Sequence, residues 1–244
     1  MVEPDAPVLA VRPGPRAAVF VVLAAAVVTW DALAPHMAAL TLWPTVAIIA
    51  AGVMPATLAL IFVALPLWSH RWIAVAGVVV FGIAAVGTWE AGWHLVANFA
   101  KLGAYTCGGW VFLRLFEELG WVVIVALVIP FVDAISVAAG PTKDIVNHHV
   151  EVYSAVAVAF VGPGGAAAGL GPPDILFFAL FLAATVRWRL RTNWTWLAMT
   201  AMYSLTLVLA NAVDVGGLPA LPFLSAGFLL ANGDLLWQRL RPAR

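Results

Sequence analysis

Two aspartates stand in stretches that otherwise hold no charge. Asp133 is the only ionisable group between Gly120 and Val137, and Asp174 opens the apolar run that begins at Ile175. A carboxylate at the centre of a membrane helix costs roughly 2.5 to 3.5 kcal/mol, so it persists only where it faces protein or water and has a task. Two carboxyl groups brought together cannot both ionise readily; they share one proton and titrate as a unit. Such a pair activates water, one carboxylate taking its proton while the other protonates the carbonyl under attack. The same two acids also suit a proton or cation relay in a membrane carrier.

These acids need helices to hold them, and composition says which kind. The 244 residues are 64% hydrophobic and 10% charged, with a mean hydropathy of +1.02. That leaves too little polar surface to cover a water-soluble globule. The expected architecture is all-α, a polytopic bundle of transmembrane helices in the cell membrane. A net charge of zero, with no Lys/Arg stripe interleaved with aromatics, argues against nucleic acid as a partner. The single cysteine, Cys107, excludes an intrachain disulfide and a multi-thiolate metal site. It reads as a small core residue.

Eight apolar segments of bilayer-crossing length are predicted: about 17–34, 42–66, 71–89, 93–114, 120–139, 172–188, 194–212 and 218–237. Residues 1–16 form a polar, Pro-rich tail, 17–119 the N-terminal spans, and 120–244 a second group of spans with a long 140–171 connection. Ala32-Leu-Ala34 resembles a signal-peptide cleavage site, but Asp31 and Pro35 fit one poorly, and the first segment is read as an uncleaved span. All twelve tryptophans, Trp110 among them, fall at expected helix ends, the depth that indoles prefer. Arg12 and Arg16, His70 and Arg71, Arg114, the Arg187–Arg191 joint and the Arg-rich C-terminus all lie on one side of an eight-span chain. That side is cytoplasmic by the positive-inside rule, so both termini are expected in the cytoplasm and the 140–171 loop outside. Within this loop Val152–Val161 is too short to span and is read as interfacial or re-entrant, followed by a Gly/Pro-rich stretch whose glycines suit a flexible or closely packed backbone.

Asp133 falls late in the fifth segment and Asp174 early in the antiparallel sixth, which puts both in one leaflet, where they can meet. At these positions the chain resembles the presenilin and signal peptide peptidase family, in particular its archaeal and bacterial members. Phe131-Val-Asp133-Ala-Ile-Ser-Val followed by Thr142-Lys143 is similar to the segment bearing that family's first aspartate. Gly169-Leu-Gly171-Pro-Pro-Asp174 resembles its Gly-x-Gly-Asp motif, and Gly217-Leu-Pro219-Ala220-Leu221-Pro222 its Pro-Ala-Leu motif. The motifs occur in the family's order, and the resemblance covers about 120–235; the first four spans agree only in hydropathy.

The resemblance implies a presenilin-like bundle of eight or nine spans and an intramembrane aspartyl protease without cofactor or metal. Asp133 and Asp174 would be catalytic, and Gly169, Gly171, Pro219, Ala220 and Leu221 would receive the substrate, a transmembrane helix or signal-peptide remnant held in the lipid bilayer. A loop outside matches the orientation of signal peptide peptidase rather than of presenilin, which favours type II substrates. The chain departs from the family in two places: Pro172 and Pro173 separate Gly171 from Asp174, and Val132 replaces the tyrosine before the first aspartate. The prolines suit the first turn of a helix and put Asp174 near its N-terminus, whose dipole favours a charged carboxylate. A catalytically silent scaffold of the same fold is a further alternative.

Other polar residues offer less. Asp31 and Glu90 at segment ends read as solvated or hydrogen-bonded interface residues. His148, His149 and Glu151 invite a metal, but adjacent helical residues point about 100° apart and no His-Glu-x-x-His pattern occurs. Ser225 lacks a histidine at equal depth for a serine protease, and Gly162–Gly171 lacks the Gly-Lys-Ser/Thr of a phosphate loop. The sequence leaves the oligomeric state open.

Overall fold

Backbone groups in hydrocarbon must find partners within their own segment, which selects helices from uncharged apolar runs. The computed structural model describes residues 13–139, 150–213 and 218–240, and each of the apolar segments is helical in it. In chain order these are α1 (Pro13–Leu33), α2 (Leu42–Ile48), α3 (Met54–Ala64), α4 (Arg71–Glu90), α5 (His94–Leu113), α6 (Leu119–Ala139), the short α7 (Val150–Val156), α8 (Pro172–Arg187), α9 (Thr192–Ala212) and α10 (Leu221–Leu240). A two-stranded antiparallel hairpin, β1 (Val158–Val161) and β2 (Ala167–Leu170), joins α7 to α8. Readings placed on residues 1–12, on Thr142, Lys143, His148, His149, Gly217, Arg241 and Arg244 lie outside the described residues.

Among the described residues five stretches are long and apolar enough to cross a membrane: Gly14–His36, Leu42–Ser69, Arg71–Glu90, Leu119–Ser136 and Thr192–Ala212. Their outward side chains are bare hydrocarbon. Val22 is 69% exposed, Ile83 70% and Phe131 71%, an extent of exposed apolar surface that belongs against lipid rather than water. The bundle is thus that of a membrane protein.

α2 and α3 form one rod through a π-helical turn, Ile49–Val53. The turn precedes Pro55, which has no N–H to give to a carbonyl one turn back. The Ser204 hydroxyl on α9 donates instead to the Ala50 carbonyl at 2.6 Å, so the break in the backbone ladder is repaired from a neighbouring helix.

α8 is the centre. Ile175 and every residue from Phe178 to Thr185 have no exposed surface, as expected of a helix apolar on all sides. Helices α5, α9 and α10 surround it. Lipid tails are as apolar as leucine, so such contacts depend on close packing rather than on escape from water. Gly109 of α5 provides it: a Cβ there would stand 2.2 Å from the Leu176 carbonyl oxygen of α8. At the far end of α8, the Thr185 hydroxyl donates to Thr192 Oγ1 at 2.9 Å, Asn232 Nδ2 donates to Thr195 Oγ1 at 2.7 Å, and Arg191 forks onto Asp234 with two contacts of 2.6 Å.

Four expectations change. The hairpin was not foreseen: alternating burial along Val158–Val161, with Val158 and Phe160 fully enclosed, makes this segment a strand packed into the bundle. Gly164 turns the hairpin at φ +74°, with Ala39 so near that a side chain would collide. Trp110 lies in the core at 2% exposure rather than at a lipid interface, because α5 is packed between other helices and this indole falls among buried neighbours. The last helix starts at Leu221, leaving Leu218–Ala220 outside it. Asp31, read as an interface residue, is 8% exposed and contacts the Asn98 side chain, whereas Glu90 is exposed.

The α5–α8 contact yields an expectation. Gly109→Ala should destabilise the folded protein by about 1–3 kcal/mol through overpacking, seen as a lower midpoint in detergent thermal unfolding. Gly108→Ala, whose Cβ would be an ordinary 3.8 Å from Leu176 Cδ1, should leave the midpoint within error; equal shifts for both would refute the packing account.

Candidate functional site

A non-helical segment inside a bundle needs partners for its backbone, and α5 supplies most of them here. Asn98, Lys101 and Tyr105 lie on one face of α5 at helical spacing. Asn98 donates from Nδ2 to the Ala159 carbonyl and accepts from the Ala159 N–H, each at 2.8 Å. Lys101 Nζ donates to the Ser154 and Ala157 carbonyls at 3.0 and 2.6 Å and sits 4.9 Å above the Trp89 ring. The Tyr105 hydroxyl donates to the Val156 carbonyl at 2.8 Å, and Trp30 Nε1 of α1 to the Val161 carbonyl at 2.7 Å. Lys101 is 4% exposed, and these two carbonyls and one indole face compensate its loss of water. Its charge also meets the carbonyl end of α7, the favourable end of that helix for a cation.

The anchored hairpin leads directly into the second aspartate. Gly171 is the N-cap of α8, Pro172 and Pro173 fill its first two positions, and Asp174 follows at the third. Prolines lose nothing there, since those N–H groups have no helical partner. The Asp174 carboxylate reaches back to accept the Gly171 N–H at 2.8 Å, half of a capping box. Gly169 of β2 lies beneath Tyr153, whose hydroxyl donates to the Gly169 carbonyl at 3.1 Å, and a Cβ at Gly169 would fall 2.9 Å from that hydroxyl. Burial, and then the Asp174 carboxylate, push the Tyr153 phenol up to about 12, so it remains a donor.

The first aspartate projects from α6 into the same region. The Leu221 N–H, at the first position of α10, donates to Asp133 Oδ2 at 3.0 Å. That N–H has no partner within its own helix, so the carboxylate takes the place of a cap. Pro219 and Ala220 precede it in non-helical backbone, with Ala220 buried and Pro219 half-buried. The Asp133 and Asp174 carboxyl groups lie within electrostatic reach of each other, and both act on the Tyr203 phenol. Tyr203, on α9, donates to the Asp174 backbone carbonyl at 2.8 Å and stacks on Phe178.

Asp133 thus lies beside Leu221, which Pro219 and Ala220 precede in sequence, and within electrostatic reach of Asp174, which is bonded to Gly171; Gly169, two residues before that cap, packs against Tyr153. Glu151 is exposed on α7, and Ser225 is buried in α10 with no hydrogen-bond partner for its hydroxyl. Among the described residues no three His, Cys, Asp or Glu form a group able to hold a metal. No family model, curated protein or solved structure matches the chain.

Sequence reasoning missed Tyr203, Tyr153, Tyr105, Lys101 and Asn98. One signal was present: the chain has only three tyrosines, and their hydroxyls donate to carbonyls at the end of α7, in β2 and in the first turn of α8. Lys101 was a second, since a lysine within an apolar span needs an identified partner.

Lys101→Met should free two carbonyls from a charged donor, at a cost of about 1–3 kcal/mol. The expected outcome is faster amide hydrogen exchange at Val158–Leu170, with α4 unchanged as an internal reference. Unaltered exchange in the hairpin would show that Lys101 does not hold it.

Proposed function

We propose that this chain is an intramembrane aspartyl protease of the presenilin and signal peptide peptidase type, acting on peptide bonds within transmembrane helices or signal-peptide remnants. The observation that carries the reading is the hydrogen bond from the Leu221 N–H to Asp133. It joins the Asp-Ala-Ile-Ser-Val and Pro-Ala-Leu segments, which are 88 residues apart in sequence, beside the acid of the third motif. The bond and the mutual influence of the two acids support reading the three segments as one site.

The chemistry follows from two carboxyl groups sharing a proton. The ionised carboxylate takes a proton from water, whose oxygen bonds to the scissile carbonyl carbon, while the protonated carboxyl delivers its proton to the carbonyl oxygen. Collapse of the resulting diol breaks the C–N bond, the amine leaves with one proton, and the pair returns to one shared proton. A helical substrate shields its carbonyls, so it must unwind first. The hairpin is two-stranded among the described residues, so β2 retains an edge able to pair with such an extended segment. α6 packs chiefly on α10 and touches α8 at few points.

In this reading all eight apolar segments cross the membrane, α5, α8 and α10 included. Both termini are cytoplasmic in the cell membrane, and the pair lies towards the outer leaflet.

The test is cleavage of a reporter transmembrane peptide by the purified chain. Asp133→Asn and Asp174→Asn should each abolish cutting, and the double variant should be no worse than either, because the pair acts as one unit. The wild-type rate should fall at low pH, where both carboxyls are protonated, and at high pH, where both ionise. Leu221→Pro removes the N–H at a helix position that accepts proline, along with the buried leucine side chain that Leu221→Ala also removes. It should lower the rate roughly tenfold or more, the value of a hydrogen bond to a charged group of about 1.5–3 kcal/mol, while Leu221→Ala retains the donor and most of the rate. Cleavage that survives both Asn substitutions would end the protease reading and make proton-coupled transport the next assay.

A further inference from the structure

At the end of α8 opposite Asp174, a cleft of about 600 Å³ opens among Trp68, Arg71, Val75, Val111, Arg114 and Arg187. Three guanidinium groups converge on it from three elements: the start of α4, the end of α5 and the end of α8. Arg114 and Arg187 are close enough to repel one another. Among the described residues no carboxylate lines the cleft. Glu117 and Glu118 follow closely in sequence but are exposed and do not line the cleft. Among the described residues none of the three arginines forms a salt bridge; the Arg191–Asp234 pair lies elsewhere.

Helix capping explains only part of this arrangement. Arg114 donates through one nitrogen to the Trp68 carbonyl, and Arg187 through one nitrogen to the Leu113 carbonyl at 3.0 Å. A guanidinium carries five N–H donors in a fixed fork, and Arg114 Nε is buried with no partner. Among the described residues the Arg71 side chain donates to no backbone carbonyl, and it stacks over Trp72 at 5.4 Å. Three half-used forks with no acid among them match an anion with several oxygens, as phosphate has. The remaining wall, Val75 and Val111, is apolar. Trp68 and Trp188 lie against Arg114 and Arg187, and Trp72 beside them is 75% exposed. Indoles gathered at helix ends mark the headgroup depth of a bilayer.

We propose that this cleft binds the phosphate of an anionic lipid headgroup, with the apolar wall receiving the glycerol and upper acyl carbons. It lies at the opposite end of α8 from Asp174, and the 13 residues from Asp174 to Arg187 put it about 20 Å away. The proposal stands independently of what the acids do.

The experiment measures binding of a fluorescent phosphatidylglycerol, and of the matching phosphatidylcholine, to the purified full chain in detergent micelles. Wild type should prefer phosphatidylglycerol. Arg71→Gln, which breaks no framework bond, and Arg187→Gln should each weaken that binding about fivefold, the usual contribution of one basic residue at a lipid surface. Arg189→Gln removes a charge from the same end of the bundle, outside the cleft, and should change nothing. Equal binding of the two lipids, or an equal loss with Arg189→Gln, would reduce the effect to general surface charge and overturn the site. Displacement of the lipid by millimolar inorganic phosphate or glycerol phosphate would assign the cleft to a soluble phosphate and overturn the lipid reading.

Discussion

Enclosure of α8 is the constraint on which the rest depends. A helix of 16 residues wrapped on every side by other helices cannot shift along its axis without breaking contacts around its whole circumference, because packed interiors leave few voids. In a bilayer no water is expelled when such a helix is buried, so its position is fixed by fit. Gly109 lets α5 approach to backbone distance, and the Thr185, Thr192, Thr195 and Asn232 bonds fix the helix ends remote from the acids. With that end locked, the first turn of α8, and Asp174 on it, is held in depth and rotation.

A second constraint follows from the first. The chain enters α8 through a hairpin, and strands and turns at bundle depth expose carbonyls that helices would have satisfied internally. Polar side chains of α5 and α1 answer those groups one by one: Asn98 and Ala159, Lys101 with Ser154 and Ala157, Tyr105 and Val156, Trp30 and Val161. Ser204 and Ala50 repeat the logic at a proline. These side chains are therefore framework rather than chemistry, and the charge at Lys101 is kept because two carbonyls and an indole face replace its water.

What was legible in the sequence follows the same division. Apolar runs ended by tryptophan or arginine specify helices because the period and length of a membrane helix leave little freedom, and every segment read this way is helical here. Asp133 and Asp174 were legible because isolated acids in such runs are costly. The hairpin was not: Val158–Val161 is too short for its alternation to stand out from the apolar background, and the glycines after it fit many loops. Tyr203 and Lys101 were missed because their partners are backbone carbonyls, which have no signature in sequence. Trp110 misled because an indole near a helix end sits equally well against lipid or against other helices, and only packing decides.

The two prolines before Asp174 bear on the proposed reading. In the Gly-x-Gly-Asp pattern the acid follows glycine directly; here two residues are inserted, and a simple extension would carry the carboxylate away from the cap. Instead Pro172 and Pro173 occupy the first two helical positions, which proline fits without loss, and Asp174 falls at the third. Side chains at that position point back along the helix towards its start. The carboxylate accordingly returns to Gly171, bonding its N–H at 2.8 Å, and faces the region that Asp133 reaches from α6. The inserted residues lengthen the helix at its beginning, and the backward reach of the side chain offsets that lengthening. A departure that looks disabling as text thus leaves the two acids within each other's field.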